Sequence, residues 1–356
     1  MEKTSSSIQN LKSNNQYQWH KLGITGPVSF GSICEDPFRD LYGAINYNPP
    51  NTQNLDSYLA RYNSTKKNWK SLGGNFNDTV MDICSDSNGN IYAVGAFTNT
   101  KGSFCLKQYI PTTKLWNDLG GTFNAQLNNV CIDSNNNVYV IGNFTNVDNN
   151  QYVAQFNPTT KVWSELSGLF GGLTGSISGI CCDPSNNIYI VGVYLKNGDA
   201  FAAKWSGTQW DLLSSHYIGS AATVICSDPS GNIYIPYQDP TTLNYFVAIM
   251  SKDGTWSKTG EGYSSKEEGP MVIYSDSFGN IYYGGNFVDT KGGSFYIAQY
   301  NSQNNKWSVL CGPNSISGVI DGSIMNICSP KGSSNIYASG ALVPENNFVA
   351  LGKHTS

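Results

Sequence analysis

Three histidines, His20, His216 and His354, are all the imidazole this 356-residue chain carries, so general-base work near neutral pH would fall to carboxylates. A copper centre of converging Tyr and His ligands needs a His pair, and no one or two loops of the sequence hold one. A Ser-His-Asp arrangement would hang on His216 alone, without a Gly-x-Ser-x-Gly elbow. Glycoside hydrolysis needs two converging carboxylates. Asp78, Glu261, Glu267, Glu268 and Asp321 are the candidates, and their spacing leaves that option open. Leu-Gly-Gly at 72–74 and 119–121 is followed by neither Lys-Ser/Thr nor a helix start, so these glycines read as turn residues rather than a phosphate loop. The expectation is a non-catalytic protein with no cofactor and no metal.

Cysteines and aspartates recur instead of clustering. Cys34, Cys84, Cys131, Cys181, Cys226 and Cys328 share one position of a repeated segment, with Tyr274 in the seventh copy. No Cys-x-x-Cys pair accompanies them, so they read as small apolar fillers around an axis. Cys105, Cys182 and Cys311 have no place in the pattern. Asp86, Asp133, Asp183, Asp228 and Asp276 open short Asp-x-x-Gly/Asn turns, and Asp36 holds the same place before Pro37-Phe38-Arg39. Calcium would need several oxygens converging on one point, so capping of the turn by the Asp side chain is the expected role.

What positions these residues is a repeat. Trp19, Trp69, Trp116, Trp163, Trp210, Trp256 and Trp307 fall at steps of 50, 47, 47, 47, 46 and 51, with only Trp205 off the comb. Trp69-Lys-Ser-Leu-Gly-Gly-Asn-Phe-Asn77 and Trp116-Asn-Asp-Leu-Gly-Gly-Thr-Phe-Asn124 are copies of one unit. Each unit reads as four short strands, a to d, in the second copy near 79–85, 90–97, 104–110 and 114–119. That is the spacing of propeller blades. The first Trp motif, Tyr17-Gln-Trp-His-Lys-Leu22, is a strand d with nothing before it, and the last unit has strands a to c near 323–329, 335–342 and 347–353 but no strand d. The expectation is all-β: a single seven-bladed β-propeller over 15–356 with four antiparallel strands per blade. The N-terminal strand completes the C-terminal blade, after a flexible tail at 1–14.

The c–d hairpins Phe156-Asn-Pro-Thr-Thr-Lys-Val-Trp163, Tyr109-Ile-Pro-Thr-Thr-Lys-Leu-Trp116 and Tyr300-Asn-Ser-Gln-Asn-Asn-Lys-Trp307 resemble the kelch motif. Gly284-Gly285 supplies that motif's full doublet, Gly95, Gly142, Gly192 and Gly340 supply half of it, and the fifth unit has Pro236-Tyr237. A kelch-like, galactose-oxidase-central-domain-like repeat implies a propeller that binds partners, copper oxidases being the family's catalytic exception.

Binding residues are expected where d–a and b–c loops emerge, because loop length varies there while the a–b turns are stereotyped. Seven residues after each Trp stand Phe76, Phe123, Phe170, Tyr217 and Tyr263, followed in two units by Asn77 and Asn124, with Asp78 beside the first. Tyr47, Phe97, Phe144, Tyr194 and Phe287 follow the strand-b Tyr by five. Two roles fit such rings: wedges between blades, or a platform for a ligand. As a platform they would dock a protein partner, or stack on sugars while amides bind hydroxyls at several weak sites. A net charge of −4, with Arg39 and Arg61 the only arginines, argues against nucleic acid and anionic membrane surfaces. The polar first ten residues contain no signal peptide or membrane span, so no membrane insertion is expected. An odd nine cysteines then read as reduced thiols in a cytoplasmic-type compartment. The abundance of Asn is the composition of AT-rich genomes, such as those of protists or large viruses.

Overall fold

The computed structural model describes residues 17–22, 28–47, 56–168, 175–213, 222–239, 241, 245–259, 270–285, 296–302, 304–310, 322–342 and 347–354. Among them lie 28 strands in seven four-stranded antiparallel sheets. Blade 2 runs Val80–Ser85, Ile91–Gly95, Lys107–Ile110 and Leu115–Asp118, each strand paired with the next. Blade 7 is assembled from both ends of the sequence: Gly322–Cys328, Ile336–Leu342 and Asn347–His354 are completed by Tyr17–Lys21, with Trp19 opposite Gly352. The expected ring closure is present. The innermost strands, Val28–Glu35, Val80–Ser85, Leu127–Ile132, Gly175–Cys182, Cys226–Ser227, Pro270–Ser275 and Gly322–Cys328, contact one another in cyclic order, the last against the first. The protein is a seven-bladed β-propeller. No helix among the described residues is long and apolar enough to cross a membrane.

Strand b reads as a continuous apolar run because both of its faces are covered by adjacent blades: Ile91–Gly95 and Val138–Gly142 are buried throughout. Gly95, Gly142 and Gly192 end that run where a Cβ would stand 2.0–2.2 Å from the carbonyls of Thr79, Gln126 and Ser176. Only glycine lets the incoming d–a segment press so close. The amides of the next residues, Ala96 and Asn143, donate to the same Thr79 and Gln126 carbonyls.

Four of the repeated tryptophans stitch the outer rim. The indole Nε1–H of Trp69, Trp116, Trp163 and Trp210 donates to the carbonyl of Leu22, Leu72, Leu119 and Leu166 in the preceding blade, at 2.9–3.2 Å. Trp205 now has a place: it is the strand-c aromatic of blade 4, paired with Trp210 as Tyr109 is with Trp116.

The aspartates cap their turns as expected. Asp86 Oδ1 accepts from the amides of Asn88 and Asn90, while Oδ2 accepts from Asn90 Nδ2 and the buried Tyr92 hydroxyl. The same arrangement recurs at Asp133, Asp183, Asp228 and Asp276. Asp86→Ala is expected to cost roughly 2–4 kcal/mol, because it strips two backbone donors and leaves a buried hydroxyl and amide underbonded. Urea denaturation checks this. Chelation with EDTA is expected to leave the melting temperature unchanged, since both Asp86 oxygens already serve the turn.

Candidate functional site: the axial mouth on the loop face

The two ends of the ring differ physically. At the a–b end, neighbouring turns are tied together: Ser87 N–H donates to Asn136, Ser134 N–H to Asn186 and Gly332 N–H to Ser277. At the opposite end the innermost strand carries a β-bulge in blade after blade. The register between strands a and b slips at Val80/Asp82, Leu127/Asn129, Ile177/Gly179, Pro270/Val272 and Ile324/Asn326, and over two residues at Phe30/Ile33. A bulge leaves its extra residue out of the ladder and re-aims it. The residues set free in this way are Met81, Asn128, Ser178, Met271 and Met325, with Gly31-Ser32 in blade 1, and Thr223 holds the corresponding place in blade 5.

Following the ring, blades 6, 7, 1 and 2 present Met271, Met325, Gly31 and Met81, and blades 3 to 5 present Asn128, Ser178 and Thr223. At this repeat position the ring is therefore two-sided, with methionine in three of blades 6, 7, 1 and 2 and one amide and two hydroxyl residues in blades 3 to 5. Met325 is 39% exposed and Met81 and Met271 are half-buried. Asn128 donates to Asn143 Oδ1 and accepts from Gln126. The sequence carried a signal for this site that residue chemistry alone passes over. Three of the chain's five methionines stand at one repeat position, three residues before the strand-a Cys or Tyr.

Four of the expected binding rings fall elsewhere. Phe76, Phe97, Phe123 and Phe144 are at most 6% exposed. Phe76 packs on Phe97 and edge-on to Trp116 of the next blade, and Phe123 does the same with Phe144 and Trp163. Of the two roles open to these four rings, the structure places them as wedges between blades, not as a stacking surface. Tyr194 is half-buried against Phe201. Asn77 and Asn124 are exposed, but each amide clasps the b–c loop of the following blade, donating to a Thr hydroxyl and accepting from the same Thr amide, Thr98 and Thr145 respectively. Asp78 is exposed and accepts from the Thr79 amide. Tyr47 ends its strand, and its side chain lies outside the described residues, as do Phe170, Tyr217, Tyr263 and Phe287. Of the carboxylate candidates, Glu261, Glu267, Glu268 and Asp321 also lie outside them, together with His216.

Two carboxyls are held on the inner strands, Asp82 beside the bulged Met81 and Glu35 at the a–b end. Asp82 accepts from Ser32 of blade 1, from its own strand at Ile83 and from the Val130 amide of blade 3, so it bridges three blades. Burial pushes it up to about 6 against those hydrogen bonds. Glu35 sits at the junction of blade 1 with blade 7 with neither carboxyl oxygen hydrogen-bonded. Burial raises it to about 8, with Asp36 and Asp40 adding and Arg39 opposing. A raised carboxyl favours the folded state only while protonated, so its contribution is complete below the usual Glu range and is lost as pH rises to about 8. Glu35→Gln removes that loss. Its melting temperature relative to wild type is expected to climb between pH 5 and 9, by the equivalent of about 1–3 kcal/mol after allowance for screening. A difference independent of pH would contradict this placement of Glu35.

The model described as the Rax2 C-terminal beta propeller domain matches residues 58–227, from strand c of blade 1 to the start of blade 5. The chain is similar to that domain. The solved structure "YCF48 bound to D1 peptide" covers 96% of this chain and 96% of its own, with a TM-score of 0.60 and 12% identity, a likeness of fold. Comparison with curated proteins finds no match. These findings support a β-propeller family, and the kelch resemblance of the c–d hairpins narrows to that broader class.

Proposed function

We propose that the protein is a non-catalytic interaction scaffold whose loop face docks a protein partner, and that the partner's contact is an extended peptide segment with apolar side chains seated at the axial mouth. The repeated bulge carries this reading. It takes one residue out of the ladder in five blades and two in blade 1, on the end whose loops vary, while at the other end three pairs of neighbouring turns are tied by hydrogen bonds. Methionines suit a surface that must adapt to apolar side chains, and the facing hydroxyl residues Ser178 and Thr223 suit a peptide backbone. The propeller of similar fold is itself bound to a peptide. The glycan alternative rested on rings and amides, of which four rings are core and two amides are engaged within the fold.

Selection of a random peptide display library on the purified protein tests the proposal. Selected peptides are expected to bind the Met81→Ser/Met325→Ser variant at least about tenfold more weakly, the loss of one or two central contacts. Binding to Phe38→Ser/Phe278→Ser, altered at two exposed a–b turn residues of the opposite end, is expected to be unchanged. No selected peptide, or peptides sensitive only to the second variant, would refute it.

A further inference from the structure

Cys182 has no counterpart in the repeat. It follows the repeating Cys181, at a position held elsewhere by Glu35, Ser85, Ile132, Ser227, Ser275 and Ser329. The structure shows what that position faces. It meets the repeating residue of the preceding blade, as Ser329 does when its amide donates to the Tyr274 hydroxyl and its carbonyl accepts in return. Around the ring, Cys34 is thereby set against Ser85, Cys84 against Ile132, Cys181 against Ser227, Cys226 against Ser275 and Cys328 against Glu35. Among the described residues, this position sets thiol against thiol only at the interface of blades 3 and 4. Cys131 Sγ and Cys182 Sγ stand 3.1 Å apart, both residues are half-buried on the innermost strands, and both are free thiols.

We propose that Cys131 and Cys182 form a thiol pair that oxidation closes into an inter-blade disulfide. The bond requires the sulfurs to close from 3.1 Å to about 2.05 Å, a shift of about 1 Å. With a low-molecular-weight disulfide as oxidant, one thiolate attacks the oxidant's sulfur and expels the first thiolate leaving group. The second cysteine then attacks the protein sulfur of the mixed disulfide and expels the rest. Two protein thiols lose two protons and two electrons, and one small disulfide becomes two small thiols. Burial raises the Cys131 thiol well above its usual range, which keeps it protonated and makes the reaction slow at neutral pH and faster in alkali. Once closed, the bond staples the innermost strands of two consecutive blades, across 51 residues of sequence.

The test treats the folded wild-type protein with oxidised glutathione in mildly alkaline buffer, then alkylates under denaturing conditions. The expected product is about 2 Da lighter than the reduced protein before alkylation, with two fewer alkylated thiols and a tryptic pair joining the Cys131 and Cys182 peptides. Its melting temperature is expected to rise by about 5 °C, a rise reversed by dithiothreitol. Cys182→Ser is expected to abolish linkage and rise, and Cys105→Ser to leave both intact. Full alkylation of all nine cysteines after treatment, a linked pair at other cysteines, or glutathione adducts without the linked peptide would each overturn the proposal. These readouts come from the wild-type chain, so they stand even where a variant folds poorly.

Discussion

Replacing Phe76 and Phe123 together by alanine is expected to cost roughly 6–10 kcal/mol, comparable with the whole stability of an ordinary domain. Each ring is a wedge in a different blade interface. Phe76 lies 4.6 Å from the Phe97 centroid and 5.2 Å from Trp116, and Phe123 lies 4.7 Å from Phe144 and 5.1 Å from Trp163. Removing a buried Phe forfeits its transfer from water and leaves a cavity that a four-stranded sheet cannot collapse to fill, about 3–5 kcal/mol per site. The two sites share no ring, so the costs are expected to add. Glycines guard the same positions: a Cβ at Gly74 or Gly121 would strike the Phe76 or Phe123 ring below 2.5 Å. Chemical denaturation of each single variant and of the double variant measures this. Wild-type stability in the double variant would return these residues to the surface.

Deletion of residues 15–22 is expected to destabilise the entire ring, by on the order of 5 kcal/mol. It removes five ladder partners of Asn347–His354, the buried Leu22, and the carbonyl that receives the Trp69 indole. The lost strand joins the first blade to the last, so the effect is expected as a lower melting temperature of one cooperative transition rather than local fraying. The same eight residues supplied in trans as a peptide are expected to restore part of the loss. An unchanged melting temperature in the truncation would contradict the closure.

The architecture was legible because its signals are periodic. The tryptophan comb, the Asp-x-x-Gly/Asn turns and the strand-d motif without partners each map onto one physical device: the rim stitch, the turn cap and the closing strand. The site was less legible. Strand periodicity tells which residues alternate, but a bulge inserts one residue without changing the residue types around it, so Met81, Met271 and Met325 read as ordinary strand residues until the register is known. The repeated Phe of the d–a segment was visible as a repeat, but repetition alone does not say which way a ring turns. Here the ring folds back over Gly74 or Gly121 into the interface. Cys182 failed to fit for a related reason, because its meaning lies in the neighbouring blade and not in its own repeat.

Hydrogen exchange of the protein with and without a selected peptide reads both ends of the ring at once. Binding at the loop face is expected to slow exchange at the starts of the innermost strands, amides 79–82 and 323–326, and to leave the a–b turns 36–40, 86–90 and 276–280 unchanged. Protection confined to those turns, or bound peptide with no protection at the mouth, would contradict it.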